Sequence, residues 1–300
     1  GYGRVITRMS RRVREFMARF PGRSCSLTPV VSRGDSRAER GELVTTKHLE
    51  VPRNLRRGHK QSDTEASLAS AVELLGLLAK HLGVEHLGDV ELLDMGCGTK
   101  LVEAILRHQL PIGRYVGIDV YREMIEFLQR EVQDPRFTFY PMNSHHPNYN
   151  PDGSPLSASQ GLPLAPASFD AICLFSVFTH LDPRDYREML MLLRPYIKPE
   201  GRLIYSLFVN ERTPEGLGLA DDIARRMATR SPSSPVTDGV SAPESVPDFV
   251  DMDPAKPLKF ALYSRAYALS LVEDTGWVVE SLNDPLEHIQ HFMVCRPGGP

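Results

Sequence analysis

The sequence predicts an α/β protein: a mostly parallel sheet of seven strands with helices on both faces. Three observations carry this expectation. From residue 68 onward, short apolar runs alternate with segments whose apolar residues recur at helical spacing. The first run ends in a Gly-x-Gly turn, Gly96–Gly98, that opens into a helix. The 300 residues are 41% hydrophobic and 24% charged, enough to bury a core that needs neither disulfide nor metal.

In chain order, Leu68, Val72, Leu75, Leu78 and Leu82 mark a helix that Gly83 ends. Val90–Met95 is a buried strand, and Leu101, Val102, Ile105 and Leu106 return at helical period. Tyr115–Asp119 is the second strand, Met124–Val132 a helix and Phe137–Tyr140 the third strand. Residues 144–168 carry Pro147, Pro151, Pro155, Pro163 and Pro166. They are too long for a plain connection, so they are expected to be functional or partly mobile. Ala171–Phe175 is the fourth strand, Tyr186–Leu193 a helix, and Arg202–Phe208 the fifth strand after the turn Pro199-Glu200-Gly201. Leu217–Met227 hints at a helix. Residues 231–257, with six prolines and five serines, read as a lid or linker. A helix near 264–274 and the strands Trp277–Glu280 and His291–Val294 complete the pattern. Strands alternating with helices imply a parallel sheet covered on both faces.

Charge is uneven along the chain. Residues 1–60 hold 15 Lys/Arg against 5 Asp/Glu, and residues 61–300 hold 20 against 33. The division is therefore a basic arm, 1–60, partly helical or disordered, and a domain, 61–300, with an insertion at 211–258. Within the arm, Val5, Met9, Val13, Phe16 and Phe20 repeat at helical spacing between arginines, up to Pro21-Gly22. No run approaches 18 consecutive apolar residues, which excludes a transmembrane helix. Cys25, Cys97, Cys173 and Cys295 lie far apart, with no Cys-x-x-Cys pair. A reduced, cytoplasmic setting without structural zinc is the expectation.

The chemistry centres on Asp94-Met95-Gly96-Cys97-Gly98-Thr99. Glycines between strand and helix let backbone approach a ligand at the carboxyl edge of an open sheet. The G-x-x-x-x-G-K-[S/T] of a phosphate loop is absent, and Leu101 stands where a dinucleotide fingerprint needs its third glycine. An acid two positions before G-x-G is awkward beside a pyrophosphate and suits a cationic ligand.

Leu92–Thr99, Gly117-Ile118-Asp119-Val120, Asn143, Ser168–Ile172 and Leu193–Arg202 together, in this order and spacing, resemble the class I S-adenosylmethionine-dependent methyltransferases. The resemblance covers 90–210 well and 260–297 more loosely. It implies a Rossmann-like fold, S-adenosylmethionine as cofactor and S-adenosylhomocysteine as product. It places Asp94 near the cofactor's amino acid part beside the backbone of Gly96, Cys97 and Gly98. It puts Asp119 on the ribose, with Val120, Met124, Met142 and Asn143 around the adenine and Phe175 at the end of the fourth strand. Two departures stand out: Lys100 replaces the frequent third glycine, and Asn143 replaces an Asp, although an amide carbonyl still accepts an amino hydrogen.

After the fourth strand comes Ser176-Val177-Phe178-Thr179-His180-Leu181, without the N-P-P-Y or D-P-P-Y of amide- and base-nitrogen methylation. Cys173, mid-strand, is unsuited as a nucleophile. A hydroxyl acceptor needs a base, and histidine titrates near neutrality. His180 is the first candidate. His145 and His146 sit in a polar loop with Asn148, Tyr149 and Asn150, and His291 opens the last strand. Asn210 and Glu211 follow the fifth strand and can also face an acceptor. Asp182 alone makes no ligand cluster, so a metal-independent enzyme is expected. The leading expectation is O-methylation of a small or sugar-like molecule. The alternative is RNA or protein methylation with the basic arm docking the substrate. A cofactor-binding module without turnover is the third reading.

Overall fold

The computed structural model describes residues 49–56, 64–211, 219–220, 247–252, 256–284 and 289–299. The helix expected between Val5 and Phe20 lies outside them. So does the one expected over Leu217–Met227, apart from Leu219 and Ala220.

Five helices and nine strands are described: α1 (Thr64–Leu82), β1 (Leu87–Met95), α2 (Lys100–His108), β2 (Ile112–Asp119), α3 (Arg122–Glu131), β3 (Phe137–Pro141), β4 (Phe169–Leu174), α4 (Pro183–Leu193), β5 (Ile197–Val209), β6 (Phe249–Asp251), β7 (Ala261–Tyr263), α5 (Arg265–Ser270), β8 (Trp277–Asn283) and β9 (His291–Pro297). β3, β2, β1, β4 and β5 run parallel in that order. β9 then joins β5 antiparallel, and β8 joins β9. These are the seven strands the sequence predicts.

Among the described residues the strand count is nevertheless nine. β7 pairs in parallel with the end of β5, and β6 pairs antiparallel with β7. Each is three residues long, too short to show an alternation in sequence.

Period-two alternation splits the core across the sheet. Leu92, Tyr115, Cys173, Ile204 and Val294 point to the side of α1, α2 and α3. Leu93, Val116, Ile172, Leu203 and Met293 point to the side of α4 and α5. The helix ends follow local chemistry. Gly83, at φ 69°, stops α1 in the left-handed conformation, with the Val84 amide returning to the Ala79 carbonyl at 3.0 Å. Pro183 opens α4, and the Asp182 carboxylate accepts the Asp185 amide at 2.8 Å. Asp182, considered above as a metal ligand, is thus a helix cap.

The domain begins before residue 61. Leu49, Val51 and Leu55 are buried in the first core cluster, and Arg56 pairs with Glu103 of α2 at 2.8 Å. Part of the stretch assigned to the arm is therefore domain, because it carries three apolar anchors among its arginines. Segment 144–168 is also tied down. Arg184 of α4 holds the Leu156 carbonyl at 3.2 Å, and Glu188 accepts the Ala158 amide at 2.6 Å. Among the described residues no helix is long and apolar enough to cross a membrane.

Leu190 of α4 is fully buried, whereas Val84 is 39% exposed. Leu190→Ala is expected to lower the unfolding free energy by about 2–5 kcal/mol in urea titration. Val84→Ala is expected to change it by less than about 0.5 kcal/mol.

Candidate functional site

The turn after β1 is fixed by the strand beside it. The amides of Gly96 and Cys97 both donate to the Ile118 carbonyl, at 2.7 and 3.1 Å. The Gly98 amide donates to Asp119 Oδ2 at 3.0 Å. Both glycines have positive φ, 72° and 51°, where an L side chain is strained. They differ in their surroundings. A Cβ on Gly96 would fall 2.4 Å from Val177 Cγ2, whereas a Cβ on Gly98 would point into open space. Gly96 therefore admits the segment after β4, and Gly98 leaves open space beside its backbone.

Asp119 ends β2 with 1% exposure. Its Oδ1 accepts the Tyr121 amide at 3.0 Å while Oδ2 takes Gly98. The carboxylate is thereby fixed at the carboxyl end of β2, beside the Gly96–Gly98 turn. Asp94, 2% exposed, is turned inward, where Tyr115 and Cys173 donate to it. Cys97 is buried beside Gly117, with its Sγ 2.9 Å from a Cβ placed there.

The expected adenine neighbours separate. The Met142 amide bonds the Asp119 carbonyl at 2.9 Å, and Val120 packs on the same side as Met142. Met124 is fully buried in the cluster on the opposite side of the sheet, among Ile125, Phe127 and Leu128. Asn143 is exposed, and its Oδ1 accepts from Asn150 at 3.3 Å. Phe175 meets Phe292 edge-on at 6.2 Å.

The four histidines also divide. His145 Nδ1 lies 3.0 Å from the Pro151 carbonyl, and His146 Nδ1 accepts the Asn148 amide at 3.2 Å. Both belong to a self-bonded loop, where His146 packs on Tyr149 and Tyr149 on Tyr121. His180 lies on a short 3-10 turn after β4, its Nδ1 3.0 Å from the Leu258 carbonyl.

His291 has the most developed surroundings. It is 6% exposed at the start of β9, in register with Leu207 of β5. Its Nε2 faces Glu211 Oε2 at 3.4 Å, and its buried Nδ1 has no hydrogen-bond partner. Burial holds the imidazole below the ordinary histidine range, against the opposing pull of Glu211. Arg265 grips both oxygens of Glu211, holds its carboxyl below the usual range, and also reaches Asp284 at 3.4 Å. Glu211, Asp284 and His291 offer ligand atoms within 4.8 Å of one another, but Arg265 already supplies positive charge to that group. Next door, the Gln290 amide donates to Ser176 Oγ at 3.0 Å, tying the entry to β9 to the exit from β4. Asn210 is buried, and its Nδ2 is unpartnered.

Sequence reasoning placed Glu211 near the acceptor but missed Arg265 and Tyr115. The signal for Arg265 was an arginine two residues after the end of an apolar triplet. For Tyr115 there was none, since a strand tyrosine reads as core.

Residues 93–203 match a family model described as a methyltransferase domain. Among solved structures, the chain is similar to magnesium protoporphyrin IX methyltransferase from Synechocystis with bound SAH. The identity is 13%, covering 81% of this chain and 89% of that one, with a TM-score of 0.49. It is also similar to the 1,6-didemethyltoxoflavin-N1-methyltransferase of Burkholderia thailandensis, at 17% identity, 80% and 84% coverage and a TM-score of 0.48. A third is the complex between the Haloferax volcanii Trm112 methyltransferase activator and the putative methyltransferase, at 13%, 81% and 99%, with a TM-score of 0.46.

The two glycines give separable expectations. Gly96→Ala should destabilise the fold by more than the roughly 1–2 kcal/mol of a left-handed alanine, and Val177→Ala should restore part of the loss. Gly98→Ala should lose only the conformational part in denaturant unfolding, yet weaken cofactor binding in calorimetry. With the sheet order and the Gly96–Gly98 turn in place, residues 93–203 of the chain match a methyltransferase domain.

Proposed function

We propose that the enzyme O-methylates a small hydroxylated molecule, with His291 as general base. The pairing of the buried His291 with Glu211 carries this reading. S-Adenosylmethionine supplies a methyl group already activated on a sulfonium, so the chain's own work is positioning, exclusion of water and proton removal. The open Cβ space at Gly98 and the carboxylate of Asp119 at the end of β2 fit that cofactor. The Gly96–Gly98 backbone would lie against its amino acid part, Asp119 would accept from its ribose hydroxyls, and Val120 and Met142 would border its adenine.

On the acceptor side, Arg265 keeps Glu211 ionised, and Glu211 requires the proton of His291 on Nε2. Nδ1 then carries the lone pair that takes the hydroxyl proton. A neutral imidazole is the working form, and burial favours it. His180 is the second candidate base, since a carbonyl on its Nδ1 leaves Nε2 as the basic nitrogen. The self-bonded turn 144–154 favours a positioning role for His145 and His146.

The excess of Lys/Arg in residues 1–60 favours a second reading, in which the arm docks RNA or protein. Transfer of labelled methyl into fractionated extract separates the two. Label in the small-molecule pool supports O-methylation, and label in RNA or protein supports the arm as a dock.

His291→Asn is expected to lower kcat by about 10²–10⁴ with cofactor affinity intact. His180→Ala should cost far less. In wild-type enzyme, kcat should fall only when pH drops below the ordinary histidine value of 6.5, as His291 protonates. Glu211→Gln should displace that acid limb in a pH-rate profile. Asp119→Ala should weaken cofactor binding by about 1.5–3 kcal/mol in titration calorimetry.

A further inference from the structure

Asp94 stands two residues before Gly96, next to last in β1. Strand alternation turns its side chain to the α1–α2 face together with Leu92, away from the loop it precedes. There Tyr115 Oη donates to Oδ2 at 2.6 Å and Cys173 Sγ to Oδ1 at 3.5 Å. All three side chains are buried, and they come from three neighbouring strands, β1, β2 and β4. The titratable groups around Asp94 are Tyr115 from β2, Cys173 from β4, Cys97 from the loop and Asp119 at the end of β2. None of them is cationic.

A buried carboxylate without a cation is costly, so the neutral acid is favoured. Burial, helped by the charge of Asp119, lifts the Asp94 carboxyl to about 7 against the pull of its two donors. Burial raises Tyr115 and Cys173 as well, so both stay protonated and able to donate.

We propose that Asp94 is a proton-carrying positioning residue: it holds a proton beneath the loop in the free protein and releases it to solvent when the cationic cofactor settles over Gly96–Gly98. This rests on the placement of the cofactor against that loop. The O–H bond of the carboxyl breaks, the proton leaves to water or buffer, and the carboxylate remains, solvated by Tyr115 and Cys173. A nearby positive ligand stabilises the ionised form, so the complex binds fewer protons than the free protein. By linkage, cofactor affinity weakens as pH falls through the free-state value, by up to about tenfold per pH unit, and is flat above it.

The test is titration calorimetry of the full chain with S-adenosylmethionine near pH 6, 7 and 8.5, in buffers of different protonation heat. Wild type should release close to one proton near pH 6, falling to close to none near pH 8.5. Asp94→Asn should bind with no such release and with an affinity that changes little over the range. Tyr115→Phe removes a donor to the carboxylate and should move the release to higher pH. Proton-free binding by wild type near pH 6, or wild-type release by Asp94→Asn, overturns the proposal. Should Asp94→Asn not fold, an unchanged release profile in Tyr115→Phe overturns it. Failure of wild type to bind S-adenosylmethionine at all overturns the cofactor placement, a result distinguishable from the others.

Discussion

A single carbonyl organises this domain. Ile118 O accepts the amides of both Gly96 and Cys97, and the next side chain along β2, Asp119, accepts that of Gly98. The chain leaving β1 is thereby bound to the end of β2 before α2 begins. Three successive amides are satisfied by a neighbouring strand rather than by water, so the turn is preorganised. Val177, filling the space above Gly96, brings the segment after β4 into register with the same turn. The loops after β1 and β4 thus share one reference point.

Two groups of carboxylates are built in different ways. Asp94 and Asp119, both buried, have neutral donors and backbone amides around them. Glu211 and Asp284, more exposed, flank Arg265, and Glu211 also faces the buried His291. Without a cation, a second buried carboxylate is held as an acid. With one, the carboxylate is charged and fixes the tautomer of its neighbour. The same residue type is therefore held by neutral donors in one place and by a cation in the other.

Much of this was readable in the residues. The seven main strands declared themselves as apolar runs, and the Asp-x-Gly-x-Gly sequence declared the tight turn between β1 and α2. What escaped was register. The alternation of Leu92 and Asp94 already put the carboxyl on the helix-covered face, but only the pairing of β1 with β2 brings the Tyr115 hydroxyl to it. Met124 looked like a cofactor neighbour because it closely follows Asp119, yet the pitch of α3 turns it into the core. Glu211 and His291 are 80 positions apart, so no local pattern announces their meeting. The strands β6 and β7 were invisible for want of length.

β5 is long, at 13 residues, and different stretches of it serve different partners. Its early and middle residues pair with β4, its middle also with β9, and only Phe208 and Val209 reach β7. The strand therefore changes partner along its length, and its last two residues pair with β7 beyond the part that β4 and β9 hold. One continuous backbone thus splices the main sheet to a small annex of β7 and β6, so a change at Phe208 or Val209 bears on the annex while Leu203–Leu207 keep the register of the main sheet.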